Sequence, residues 1–334
     1  MKTDCSCLSN RLERMDLPYR RFATAAILTL CSLFSAEARA QENLLCVLVP
    51  HFKDEYWLSV AHGIEQRSAE LRLSARFFEA GGYNALNTQI EQISTCAKLK
   101  QGAILIGAVS SDTSDLLAAL REAAANLPII ALVNELRSDN LTARIGVDWH
   151  DMGRVLGESL AVRFPASAPP LDAVLLSGPP EAGWVAPLES GLRLGLARSS
   201  VRIVATYGAD TGTAEQLRLL EMALKAHPDT ALVIGSAPAI EAAMAYFTTY
   251  DDRPLLAATY ISHSVARGLV GRQVLAAPFD DPIMQGRLAV DAAAAAVAGK
   301  DVPPVIGPRI IILDAETPPT EINLSPADYF PNLD

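Results

Sequence analysis

The chain has 334 residues, 50% of them hydrophobic and 20% charged, with a formal net charge of -10. That balance excludes a disordered chain and allows one large or two medium domains with cores of their own. The acidic excess argues against nucleic acid or an anionic membrane surface as a partner.

The first readable stretch is "RRFATAAILTLCSLFSAEARA", residues 20–40, in which two arginines lead into an apolar run and then small residues at Ala38 and Ala40. This is the plan of a secretory signal peptide, and the run from Phe22 to Ala36 is shorter than the ~20 residues that span a bilayer. Residues 1–40 are therefore read as a cleaved signal, with Met15 as an alternative start and a periplasmic mature chain. "RRFAT" also admits a twin-arginine reading, and Leu30 ahead of Cys31 argues against lipid attachment. Six basic and four acidic side chains fall in this segment, leaving 22 basic against 34 acidic, a formal charge of -12. Of five cysteines only Cys46 and Cys96 lie beyond it. In an oxidising compartment such a pair reads as one disulfide, with two buried free thiols as the alternative.

Apolar runs of strand length then recur: LLCVLVP (44–50), ARFFEA (75–80), GAILIGA (102–108), LPIIALV (127–133), ARIGV (143–147), DAVLLSG (172–178), VRIVATY (201–207), TALVIGS (230–236), PLLAATY (254–260) and QVLAAPF (273–279). Between most of them the periodicity is helical: Trp57, Val60, Ala61, Ile64 and Leu71 share one face, and Ile90, Ile93 and Ala97 another. Further helices are predicted over 115–125, 152–164, 185–197, 214–226, 239–247 and 283–298. Continuous apolar strands alternating with helices predict an α/β fold of parallel sheets covered on both faces. So many strands fit two sheets better than one. A β/α barrel is disfavoured because LPIIALV and ARIGV are separated only by the polar loop NELRSDNLT, a natural point for the chain to change domain. The proline-rich VPPVIGP (302–308) predicts a return crossing before a last strand, RIIILD. The tail from Glu316 onward predicts an irregular strap.

In open parallel sheets ligands sit beyond the carboxyl ends of the strands. The loops at those ends carry Tyr56, Trp57, Tyr83, Trp149, Trp184 and Tyr260, including all three tryptophans of the chain. Any one of them alone reads as core, and Trp57 is in phase with the apolar helix face. Together at one edge they predict an aromatic pocket for a methylated, positively polarised nitrogen, each desolvated ring contributing about 0.5–2 kcal/mol of cation–π attraction. Sugar stacking is the competing use. Nucleophile-elbow, dinucleotide and phosphate-loop motifs are missing, and Asp280 and Asp281 are adjacent, which does not make an acid/base pair. Neither an enzyme nor a cofactor is expected. His51, His62, His150, His227 and His263 lack metal-ligand spacing and are read as surface or capping residues.

The strings "PHFKDEYWLSVAHGIEQRSAELRLSARFFEAGG", "QIEQISTCAKLKQGAILIGAVSSD", "RIGVDWHDMGRVLGESLA" and "HSVARGLVGRQVLAAPFDDPIMQGRLAVDAAAAAVAGKDVP" resemble, in order, the type I periplasmic binding proteins of the ribose-binding class. The resemblance covers essentially all of 44–313. Within that class "KDEYWLS", "EAGGY", "GVDW", "MGR" and "YISHSVARGL" are similar to members that sense trimethylamine N-oxide. It implies two doubly wound parallel-sheet lobes joined by three crossovers: an N-terminal lobe of 41–147 plus 263–304, and a C-terminal lobe and tail of 148–262 plus 305–334. It also implies a cleft pocket of Trp57, Tyr83, Trp149 and Tyr260, with Tyr56 adjacent and Asp54 and Asp280 as polar neighbours on the rim. Trp184, in "PPEAGW", is not carried over. The implied partner is the periplasmic sensor domain of a membrane histidine kinase controlling N-oxide respiration; an importer's receptor for a sugar or methylated amine is the alternative. Sugar-binding relatives carry an Asp-Arg pair after the fourth strand, whereas this chain has Val133-Asn134. Losing that bidentate grip favours a ligand with few hydrogen-bonding groups.

Overall fold

The computed structural model describes residues 44–98, 102–314, 316 and 322–333. The signal peptide expected over 1–40 lies outside them. The central strands are short apolar runs whose alternate residues serve opposite faces. In β1 (Leu44–Val49), Leu45, Val47 and Val49 enter one buried cluster while Cys46 and Leu48 enter another. A strand buried on both faces must be covered by helices on both sides, which is what the connections supply.

The first sheet has the order β11-β5-β4-β3-β1-β2. Its strands are β1, β2 (Ser74–Glu79), β3 (Gly102–Ile106), β4 (Ile129–Leu132), β5 (Ala143–Ile145) and β11 (Val305–Ile306), all parallel. One face packs on α1 (Glu55–Leu71) and α9 (Pro282–Val297), the other on α2 (Leu86–Ala97) and α3 (Ser114–Ala124). Cys46 of β1 and Cys96 of α2 are joined as a disulfide. The second sheet has the order β7-β6-β8-β9, from β6 (Leu171–Ser177), β7 (Val201–Gly208), β8 (Leu232–Gly235) and β9 (Leu255–Ala258), again parallel. It is covered by α4 (Trp149–Arg163) and α5 (Val185–Gly195) on one side and by α6 (Thr213–Ala226) and α7 (Ala237–Tyr246) on the other. An antiparallel pair, β10 (Ala276–Phe279) with β12 (Ile311–Asp314), adjoins β9, and Leu275 N–H donates to Leu256 O at 2.8 Å.

The chain crosses between the lobes three times, at 146–148, 280–281 and 307–310. This is the type I architecture. Three assignments of segments to lobes differ from the sequence reading. Residues 263–279, expected in the N-terminal lobe, belong to the other one: α8 (His263–Val270) packs on α7, and β10 takes its ladder partner from β12. Residues 305–306, expected in the C-terminal lobe, pair with β5. The tail, also expected there, lies along the N-terminal lobe: Leu333 bridges to Phe77, Phe330 meets Phe52 at 5.6 Å between ring centroids, and Ser325 N–H donates to Ser59 Oγ. Apolar periodicity tells a strand that it must be covered but not which sheet it joins.

Candidate ligand site

The loops at the carboxyl ends of the two sheets face each other. Two start helices on side-chain caps, as Asp or Ser before a helix favours. Asp54 Oδ1 accepts from Tyr56 N–H at 3.1 Å to begin α1, and Asp148 Oδ1 accepts from His150 N–H at 2.8 Å to begin α4. These caps fix Tyr56, Trp57 and Trp149 in the first turns, aimed across the cleft. The structure brings Asp54, Tyr56, Trp57, Tyr83, Trp149 and Tyr260 together around one cavity, with Val133, Asn134 and Trp184, whose free volume is about 10 Å³. That is about the room one water needs, so the rings nearly fill the cavity and anything larger must part them to enter.

The rings form a continuous wall. Trp184 stands 5.4 Å from Trp149 and 5.9 Å from Tyr260, centroid to centroid, and Tyr260 stands 5.5 Å from Tyr56. Most pairs meet edge to face, the geometry that ring quadrupoles prefer. Two glycines make the indoles possible. A Cβ on Gly107, just past β3, would lie 2.2 Å from Trp57 Cη2, and one on Gly178, just past β6, 2.3 Å from Trp184 Cζ2. Trp149 is set by backbone: Val133 has φ of 64°, Asn134 N–H closes a γ-turn on Leu132 O at 2.7 Å, and Val133 O accepts from Trp149 Nε1 at 2.9 Å. A β-branched residue in that conformation is strained, and such strain persists where the surroundings over-determine it.

The polar groups are few and specific. Tyr260 O–H donates to Asp54 Oδ2 at 2.6 Å. Burial pushes the Asp54 carboxyl up to about 6 against the pull of that hydroxyl and the Tyr56 amide, so it is an anion at neutral pH. The Tyr83 oxygen accepts from Asn134 Nδ2 at 3.2 Å and from Trp184 Nε1 at 3.1 Å, and its own O–H has no acceptor among the described residues. A phenol held in that way offers its proton to whatever occupies the cavity. Burial raises the Tyr83 pKa, which keeps that proton in place.

Four placements depart from the sequence reading. Asp280 does not sit on the rim: it is fully buried behind Tyr56, whose hydroxyl donates to Asp280 Oδ2 at 2.7 Å, while Gln285 Nε2 donates to both. Burial raises its carboxyl to about 6 as well. Asp54 is buried too, 3% exposed, and is part of the wall. Trp184, left out of the family-derived set, is a full member of it. Its place in the loop between the carboxyl end of β6 and α5 was the available signal. His51 is fully buried rather than at the surface.

Residues 45–301 match the family described as "Periplasmic binding protein domain". The chain belongs to the periplasmic binding proteins. Within them it is similar to the periplasmic protein TorT of Escherichia coli K12, 35% identical over 290 residues that cover 86% of this chain and 83% of that one. The complex of the TorS sensor domain with TorT, solved in the absence of ligand, matches with a TM-score of 0.78 at 32% identity, covering 87% of this chain and all of that one. The same complex in the presence of TMAO, trimethylamine N-oxide, gives 0.77 at 31%, with 88% and 100% covered. An ABC-transporter solute-binding protein from Bradyrhizobium sp. BTAi1 with bound Bis-Tris gives 0.72 at 35%, with 87% and 89% covered.

Proposed function

We propose that the protein binds trimethylamine N-oxide, or a close methylated analogue, between its lobes and reports the occupancy to the periplasmic sensor domain of a TorS-type histidine kinase. It works in the periplasm, the compartment of its family. The observation that carries the ligand reading is the pairing, in one small cavity, of an aromatic wall and a carboxylate with a single free phenol donor. Three methyls on a positively polarised nitrogen suit the rings and Asp54, and one anionic oxygen suits the Tyr83 O–H. The partner reading is supported by the similarity to TorT over most of both chains and by the TorS–TorT complexes. For the ligand to signal, it must favour one lobe arrangement over another.

Calorimetric titration with trimethylamine N-oxide tests the ligand, and capture of a purified TorS-type sensor domain with and without it tests the partner. Saturable binding and ligand-dependent capture are expected; saturation by a pentose while the N-oxide leaves the protein unchanged would sink the reading. The Bradyrhizobium protein favours a second reading, a receptor for an importer of an amine. That reading expects capture by permease subunits and none by the kinase domain.

A further inference from the structure

Outside the aromatic cage lies a second contact between the lobes. His51 follows β1 in the N-terminal lobe, and Asp210 and Thr211 follow β7 in the C-terminal one. His51 Nε2 lies 3.1 Å from Asp210 Oδ1 and 3.2 Å from Thr211 Oγ1, and Thr211 N–H donates to Asp210 Oδ1 at 2.9 Å. His51 is fully buried, Thr211 is 1% exposed, and the Asp210 side chain is 13% exposed. The same carboxylate accepts the backbone N–H of Tyr83. It fits there because residue 82 is glycine: a Cβ on Gly82 would lie 2.4 Å from Asp210 Oδ2. The His51 ring also meets the Tyr83 ring edge to face at 5.9 Å.

One side chain of the C-terminal lobe therefore holds both the ring and the backbone that place Tyr83. We propose that His51, Asp210 and Thr211 form an interlobe clasp that positions the Tyr83 hydroxyl and favours the closed cleft, setting ligand affinity from outside the cage. Contacts that exist only when the lobes meet stabilise that arrangement before any ligand arrives, so the ligand has less of the closure to drive. The charge state agrees with the geometry. Burial alone would raise the Asp210 pKa, yet the hydrogen bond from His51, with the Thr211 and Tyr83 amides, holds it below the usual carboxylate range. His51 Nδ1 is buried without a partner among the described residues, so the ring's hydrogen bonding is committed to the partner lobe through Nε2.

The affinity arm of this proposal rests on the ligand reading above; the closure arm does not. The experiment compares wild type with Asp210→Asn, and with Thr211→Val in case the first variant fails to fold. Small-angle scattering of ligand-free protein reads closure, and titration with trimethylamine N-oxide reads affinity. The variants are expected to show a larger radius of gyration and about tenfold weaker binding, with an unchanged far-ultraviolet spectrum. Because the clasp acts through Tyr83, Asp210→Asn is expected to weaken binding less in a Tyr83→Phe background. Unchanged compactness together with affinity within twofold of wild type, or full additivity with Tyr83→Phe, would overturn the proposal. If wild type does not bind the N-oxide, the ligand reading fails and the radius of gyration alone decides the clasp.

Discussion

The two lobes are built alike but bring different chemistry to the cleft. The N-terminal lobe supplies the carboxylate of Asp54, the hydroxyl of Tyr83, the amide of Asn134 and the rings of Tyr56 and Trp57. The C-terminal lobe supplies Trp149, Trp184 and Tyr260, and the one hydroxyl among them is spent on Asp54. In the proposed function, the first wall would meet charge and an oxygen and the second would meet methyls. Neither half is a site by itself, so a ligand that satisfies both is favoured only where the lobes meet. The lobes also differ in how they are held, because among the described residues only the N-terminal one carries a disulfide.

The largest effect expected from a single bond tests that last difference. The Cys46–Cys96 bond spans a sequence separation of 50, which loop-closure entropy converts to about 4 kcal/mol. Reduction, or a Cys46→Ala/Cys96→Ala double variant, is expected to accelerate amide exchange in β1 and β3 while β6 and β8 keep their protection. Equal acceleration in both lobes would mean that they unfold as one unit. Next comes a pH effect confined to buried acids. The Asp54 and Asp280 carboxyls are raised from 3.8 to about 6, so the folded state binds more protons than the unfolded one between those values. Their contribution to stability is present in full below about pH 4 and is lost as pH rises through about 6, by about 3 kcal/mol for each group. Denaturant midpoints from pH 4 to 8 check this, and Asp280→Asn is expected to remove roughly half of that dependence.

The two smaller effects separate the walls. Trp184→Ala removes a ring of the C-terminal wall and is expected to weaken both trimethylamine N-oxide and tetramethylammonium by about 2 kcal/mol, roughly 30-fold. Tyr83→Phe removes only the donor of the N-terminal wall. It is expected to cost the N-oxide about 1 kcal/mol and tetramethylammonium, which has no oxygen, nothing. Calorimetry on the two ligands in parallel reads both, and a Tyr83→Phe variant that weakens the cation as much as the N-oxide would erase the division between walls.

Much of this was legible in residues 44–313. Unbroken apolar strands alternating with helices announced parallel sheets, and the carboxyl-end rule found the loops that carry Tyr56, Trp57, Tyr83, Trp149, Trp184 and Tyr260. What stayed hidden was pairing at long range. The eight-residue α8 is too short to show a decisive period, and the two-residue β11 has none. The family resemblance places Asp280 on the cleft rim. Only the fold reveals that Asp281, with φ of 48°, takes the solvent side and caps α9 while Asp280 turns in to Tyr56. His51 looked like any isolated histidine until the loop after β7 was placed opposite it.

The γ-turn at Val133 has a consequence for how such a site changes over evolutionary time. A β-branched residue held at positive φ aims one indole of the cage. A single substitution there can swing Trp149 by altering a backbone torsion while every ring stays in the sequence. The pocket's shape can therefore drift toward a new ligand before any of its contact residues is replaced.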